Sequence, residues 1–257
     1  MSRVFITGSA DGLGLMAAQL LIDQGHDIVL HGRNADRTRQ ARSKAPKAAD
    51  AVTGDLATIA GATQVAREAN RLGPFDAVIH NAGIGYREPR REEADAGIQK
   101  VFAVNVLAPY ILTALISKPH RLVYLSSGMH HGVRPQMDDL QWVRRRWSGA
   151  EAYAESKLCD VILAFAVARR WPGVLSNALE PGWVPTKMGG PSAPDDLGQA
   201  HLTQAWLAAG GDRLASSTGE YFYHQKLRGP NPIARDPDIQ DELLAHCGKL
   251  SGITFPV

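Results

Sequence analysis

Residues 3–25 read RVFITGSADGLGLMAAQLLIDQG. A short β-rich run passes straight into a glycine turn, and a stretch with helical apolar spacing begins at once and ends at Gly25. A strand-to-helix turn without side chains lets backbone N–H groups approach a pyrophosphate. The N-terminus of the helix adds a favourable field for its charge. Gly8, Gly12 and Gly14 occupy that turn, and their place between a first strand and a first helix points to a dinucleotide.

The rest of the chain repeats the alternation. DIVLH (27–31), DAVIH (76–80), RLVYL (121–125), SNALE (176–180) and EYFYH (220–224) read as further strands. Helical stretches lie at roughly 58–72, 94–116 and 150–171. Near-continuous apolar strands separated by helices predict a buried parallel sheet covered on both faces. The expected fold class is α/β: a single-domain Rossmann fold over 1–257, doubly wound, with about seven strands. The Pro- and Gly-rich PGWVPTKMGGPSAP (181–194) reads as a long loop, of the kind that often serves as a lid.

Apolar residues make up 44% of the chain, enough for a sizeable core. The formal net charge is only +2, with both signs mixed along the chain, so no nucleic-acid partner is expected. Cys159 and Cys247 have neither metal-ligand nor CxxC spacing and read as reduced thiols. The apolar run VILAFAVA (161–168) is too short to span a bilayer, and RVFITG follows the first residues almost directly. A soluble, cytoplasmic protein without a membrane partner is the expectation.

EAYAESKLCD (151–160) places Tyr153 one helical turn before Lys157, on the same face. Ser148 and Glu151 fit a capping box that starts this helix, and Pro172 stops it. The pair alone fits either an acid/base couple or an ordinary amphipathic helix. At the end of the second strand, LHGRN carries Gly32 and Arg33 where an NAD-binding Rossmann protein places an acid. A guanidinium suits a 2′-phosphate, so NADP is favoured over NAD.

With Thr7 ahead of it, the spacing TGxxxGxG resembles the nucleotide loop of the short-chain dehydrogenase/reductase family. Later segments follow in that family's order. GDL (54–56) resembles its adenine-contacting pair, Asp55 and Leu56. Asn81, Ala82 and Gly83 resemble its NAG motif. Asn105, in VFAVNV, matches an asparagine that holds a water behind the lysine. YLSSG supplies a serine for the substrate carbonyl, Ser127 by alignment to the strand end, with Ser126 the alternative. Tyr153 and Lys157 follow, and then Pro181, Gly182, Val184 and Thr186 at the nicotinamide end.

The resemblance implies a cofactor set of Thr7, Gly8, Ser9, Asp11, Gly12, Leu13, Gly14, Arg33, Asn34, Asp55, Leu56, Asn81, Ala82, Gly83, Tyr153, Lys157, Pro181, Gly182, Val184 and Thr186. It implies catalytic roles for Asn105, Ser127, Tyr153 and Lys157, and no metal. Tyr153 would be the general acid/base, its phenol pulled down from a pKa near 10 by the lysine. The partner would be a small-molecule carbonyl or alcohol, and a homo-oligomer is compatible with this. The alternative is an NADP-binding regulatory protein without turnover.

Ser127 and Tyr153 lie 26 residues apart, about twice the separation in many compact members. That long segment, the SKL after the tyrosine and GEYFYHQK are similar to the retinol-dehydrogenase-like branch. Glu180 stands before Pro-Gly where that branch carries histidine. The expected substrate loops are about 128–150 and 183–200. Met137, Trp142, Trp147, Trp183 and Met188 on these loops suggest an apolar substrate or core packing. His130 and His131 read as a loop pair near substrate. RRRW (144–147) reads as a solvated face, or as a lid for an anionic substrate.

Overall fold

The computed structural model describes residues 1–94 and 97–256. Its eight-stranded sheet has the order β3-β2-β1-β4-β5-β6-β7-β8. The strands are β1 (Arg3–Ile6), β2 (Asp27–Gly32), β3 (Asp50–Thr53), β4 (Ala77–His80), β5 (Arg121–Leu125), β6 (Leu175–Glu180), β7 (Tyr221–Tyr223) and β8 (Lys226–Leu227). All neighbours pair in parallel except the last, where β8 returns antiparallel on β7. That return is the strand beyond the expected seven. His224 and Gln225 make its two-residue turn, both at positive φ, a conformation that matches hairpin twist.

The helices are α1 (Gly12–Asp23), α2 (Ala35–Lys44), α3 (Ile59–Leu72), α4 (Lys100–Phe102), α5 (Ala108–Leu115), α6 (Gly149–Arg170), α7 (Leu197–Ala200), α8 (Leu202–Ala209) and α9 (Pro237–Ser251). They cover both faces, and strand alternation divides the core accordingly. Val4, Ile6, Ile28 and Leu30 pack with α1 and α8; Phe5, Val29 and Val78 pack with α3, α5 and α6. Among the described residues no helix is long and apolar enough to cross a membrane.

One expectation from local pattern needs correction. The stretch 94–116 is not one helix: Asp95 and Ala96 lie outside the described residues, regular helix starts at Lys100, and Ala103–Leu107 form a π turn. The C-terminal tail packs into the core. Leu243, Leu244 and Cys247 of α9 are buried in the core beside α6, and Phe255 stacks on Trp171 at 5.0 Å.

The strand order reverses between β1 and β4. In open α/β sheets, ligands bind outside the carboxyl ends of the strands at such a switch point. The glycine turn after β1, the NAG segment after β4 and the serines after β5 all open there.

Candidate active site

The glycine turn is held by short-range polar contacts. The Thr7 hydroxyl accepts from the N–H groups of Asn81 and Ala82, both at 3.0 Å, and the Asn81 amide donates to the Thr7 carbonyl at 2.9 Å. A methyl on Gly14 would come within 2.4 Å of Asn81 Nδ2, so α1 approaches the NAG segment as closely as a residue without a side chain allows. Ser9 donates to the Ile6 carbonyl and accepts from His31 N–H, which leaves only its backbone for a cofactor.

The turn fits a pyrophosphate on its own geometry. Gly12 has positive φ and open space on its bare side. Among the described residues, the N–H groups of Leu13 and Gly14 in the first turn of α1 have no protein acceptor. Asp11 caps α1 through Gly12 N–H. The Lys187 ammonium bonds the Asp11 carboxylate and holds it low, at about 2.

Arg33 is exposed beyond β2 and has no ion pair or hydrogen bond among the described residues. Arg37 and Lys44 of α2 stand 3.6 and 3.7 Å from Asp11. Asn34 caps α2 by accepting from Arg37 N–H. Asp55 accepts from Ala57 N–H, and the Leu56 side chain is buried in the core, so any adenine contact from Leu56 is through its backbone.

The helix α6 is not amphipathic. Every residue from Ala152 to Val167 is buried, Tyr153 and Lys157 included. Its start is fixed by Ser148, whose hydroxyl accepts from Glu151 N–H at 3.3 Å. Buried polar groups need partners, and each one here has them. Glu155 pairs with Arg145, Ser156 accepts from the Asn105 amide at 2.9 Å, and Lys157 pairs with Asp160 at 2.8 Å.

Lys157 Nζ lies 5.8 Å from the centre of the Tyr153 ring and also donates to the Leu125 carbonyl at 2.7 Å. A methyl on Gly83 would sit 3.3 Å from Asn105 Oδ1 and 3.6 Å from Lys157 Nζ, which brings the NAG segment, Asn105 and the lysine to one point. The π turn presents Asn105 there, and such turns recur at functional sites. Its amide is held in place: Oδ1 accepts from Ile84 N–H, and Nδ2 spends both its hydrogens on the Ile84 carbonyl and Ser156, so only one lone pair of Oδ1 is left over.

Ser126 and Ser127 differ sharply. Ser126 is buried and its hydroxyl donates to the Lys157 carbonyl at 2.7 Å. Ser127 is half-buried, caps the short 3₁₀ turn Gly128–Gly132 and faces Tyr153. Burial raises the Tyr153 phenol above its ordinary value, against the pull of Lys157 and Ser127. The net direction is opposite to that expected from the lysine alone, because the ring is only 6% exposed and desolvation penalises a phenolate.

The β6–α7 loop closes over this group. Val184 is buried, and Gly182 takes positive φ where a side chain would strike Asp195. The Gly189 carbonyl accepts from Trp183 Nε1, Tyr86 and Arg87, tying the loop to the segment after β4. Thr186 accepts from Gly189 N–H. Met188 reaches Tyr153, and the Tyr86 ring centre lies 5.8 Å from that of Tyr153.

The segment 128–150 is less of a free loop than expected. Trp142 is buried, donates to Glu155 at 2.8 Å and lies under Arg145. Arg145 bridges Asp139 and Glu155, so it is not part of a solvated face. His130 is buried with both ring nitrogens bonded, to the Ser127 carbonyl and to Asn231 N–H, and is a structural tie, while His131 is exposed. Glu180 is buried at the end of β6 and pairs with Arg228. Asp160 is the group that the sequence reading passed over, although it stands three residues after Lys157 in the same quoted stretch.

The sheet order and the glycine turn place the chain in the dinucleotide-binding α/β class. The short chain dehydrogenase family profile matches residues 2–128. An uncharacterized oxidoreductase of Emericella nidulans is 44% identical over 260 residues, 100% of this chain and 99% of the relative. A short-chain dehydrogenase of Gibberella zeae is 39% identical over the same shares. The chain belongs to the short-chain dehydrogenase family, whose members bind NAD or NADP. At lower identity it is similar to human retinol dehydrogenase 13, 29% over 98% of this chain and 85% of that protein. The crystal structure of an uncharacterized protein from Mycobacterium paratuberculosis has the same fold, with a TM-score of 0.83 at 24% identity, covering 100% of this chain and 96% of that one.

Proposed function

We propose that the protein is an NADP(H)-dependent oxidoreductase acting on an apolar alcohol/carbonyl pair, with Tyr153 as general acid/base. The observation that carries this reading is the meeting of Tyr153, Lys157 and Ser127 at the carboxyl ends of the central strands, beside the glycine turn. The cofactor supplies the hydride. Tyr153 gives its proton to the substrate oxygen in reduction and takes it back in oxidation. Ser127 hydrogen-bonds the same oxygen as charge develops on it. Lys157 lowers the cost of the phenolate and binds the nicotinamide ribose.

The choice of NADP rests on Arg33, which is exposed and has no ion pair or hydrogen bond among the described residues, so that it is free to take a 2′-phosphate. The apolar substrate rests on Met129, Trp183 and Met188, large apolar side chains left exposed on the segments after β5 and β6, of which Met188 touches Tyr153. The test is a panel of aldehydes and ketones offered with NADPH and with NADH. Turnover that favours NADPH supports the reading. Tight NADPH binding with no turnover on any member would favour the regulatory alternative.

A further inference from the structure

Lys157 is buried, yet it is charged, and its ammonium has three N–H bonds to place. One goes to the Leu125 carbonyl at 2.7 Å and one to Asp160 Oδ2 at 2.8 Å. The third is left for the cleft beside Tyr153. Both partners of the Lys157–Asp160 pair are nearly inaccessible, at 6% and 3% side-chain exposure. The pair is therefore a fixed internal feature and not a surface contact that solvent would screen.

We propose that Asp160 is a positioning residue for the proton transfer: its carboxylate keeps Lys157 an ammonium and, with the Leu125 carbonyl, fixes that charge beside Tyr153 with one N–H left for the ribose. The proposal rests on the acid/base reading of Tyr153.

The surroundings leave this work to Asp160. Burial opposes the charged lysine, and the groups that outweigh burial and hold it above its usual value are Asp160 and Tyr153. Burial also raises the Asp160 carboxyl, to about 6, against the pull of Lys157, so it remains ionised at neutral pH and above. On α6 the neighbouring Cys159 thiol is pushed up by burial and stays neutral. From β5, Tyr124 faces Asp160 and is held as a phenol by burial. His80 of β4 stacks on Tyr124 at 4.7 Å and is kept neutral by burial, with Thr113 bridging the two. From the segment after β4, Tyr86 faces Tyr153, and Tyr221 of β7 feels the same ring. None of these supplies a second anion to the lysine.

Without the carboxylate, a desolvated lysine gives up its proton readily, by up to several pKa units at full burial. The phenolate of Tyr153 then loses its counter-charge. The sign follows: the midpoint of the oxidation rate moves to higher pH. Loss of the Asp160 charge with Lys157 still protonated would move it to lower pH, since Asp160 itself disfavours the phenolate.

The experiment is the pH profile of alcohol oxidation by the NADP⁺-saturated enzyme, wild type against Asp160→Asn. The expected result is a midpoint moved up by about one unit or more, with turnover at neutral pH down by about tenfold. Asp160→Glu, which restores the charge, should bring the midpoint back toward wild type. If the asparagine variant does not fold, as judged by NADPH binding, Asp160→Ser carries the same expectation. A midpoint that is unmoved, or moved to lower pH, overturns the proposal. Tyr153→Phe is measured alongside: loss of turnover there with an unmoved Asp160→Asn profile removes the role of Asp160 alone, whereas retained turnover in Tyr153→Phe removes the acid/base reading beneath it.

Discussion

The Met188 sulfur lies 3.9 Å from the Tyr153 hydroxyl and accepts from it. The thioether sits against the phenol oxygen, and the neighbouring Lys187 is bonded to Asp11 of the glycine turn. One short piece of the β6–α7 loop thus covers Tyr153 and reaches the glycine turn. Met188→Ala should widen the slot. The kcat/KM ratio for bulky over small ketones should rise by about tenfold, the scale of one or two methylenes in a pocket. An unchanged ratio would place Met188 outside the substrate path.

Arg33→Ala should weaken NADPH binding by about 10- to 100-fold, the worth of a charge-assisted hydrogen bond to phosphate, and leave NADH nearly unaffected. Fluorescence titration with both cofactors measures this. Equal losses would show that Arg33 does not read the 2′ position.

Ser127→Ala should lower kcat by about 10²–10³-fold, as for other donors to a developing oxyanion. Ser126→Ala removes a buried bond to the Lys157 carbonyl and should cost about 1 kcal/mol of stability with most turnover kept. The reverse pattern would assign the substrate contact to Ser126.

Arg145→Ala strands two buried carboxylates, Asp139 and Glu155, which Arg145 holds at 3.2 and 2.7 Å. Breaking such a pair costs about 3–5 kcal/mol. Denaturant unfolding should show a loss on that scale. A loss under about 1 kcal/mol would mean the segment 128–150 is held by other contacts.

The features that a sequence shows are those that local geometry carries. The strand–glycine–helix start is visible because pleat, turn and helix periods change within 23 residues. Tyr153 and Lys157 are visible because helical spacing alone places them together. The helix α2 is not, since Ala41 is its one fully buried residue and no apolar period marks it. The Arg145 network escaped for a different reason: local pattern cannot tell a solvated arginine from one folded onto carboxylates 6 and 10 residues away. His130 likewise looks like a site residue until Asn231, 101 residues on, is found to hold it. Asp160 had the spacing to be noticed, but burial, which makes its charge matter, depends on the strands and helices packed around α6.

The central claim is that the Tyr153 hydroxyl moves the proton, and the most direct measurement is the pH-dependent turnover of Tyr153→Phe with NADPH binding measured in parallel. The substitution removes one oxygen from a buried ring, so fold and cofactor affinity should persist. Burial holds the phenol above its usual value, with Lys157 opposing. In the wild type, oxidation should therefore rise with pH as the phenol ionises, assisted by the positive charge of an oxidised nicotinamide. In the variant, turnover should fall by about 10²–10⁴-fold and that pH dependence should vanish. Near-normal turnover with the wild-type pH profile, at unchanged NADPH affinity, would contradict the account.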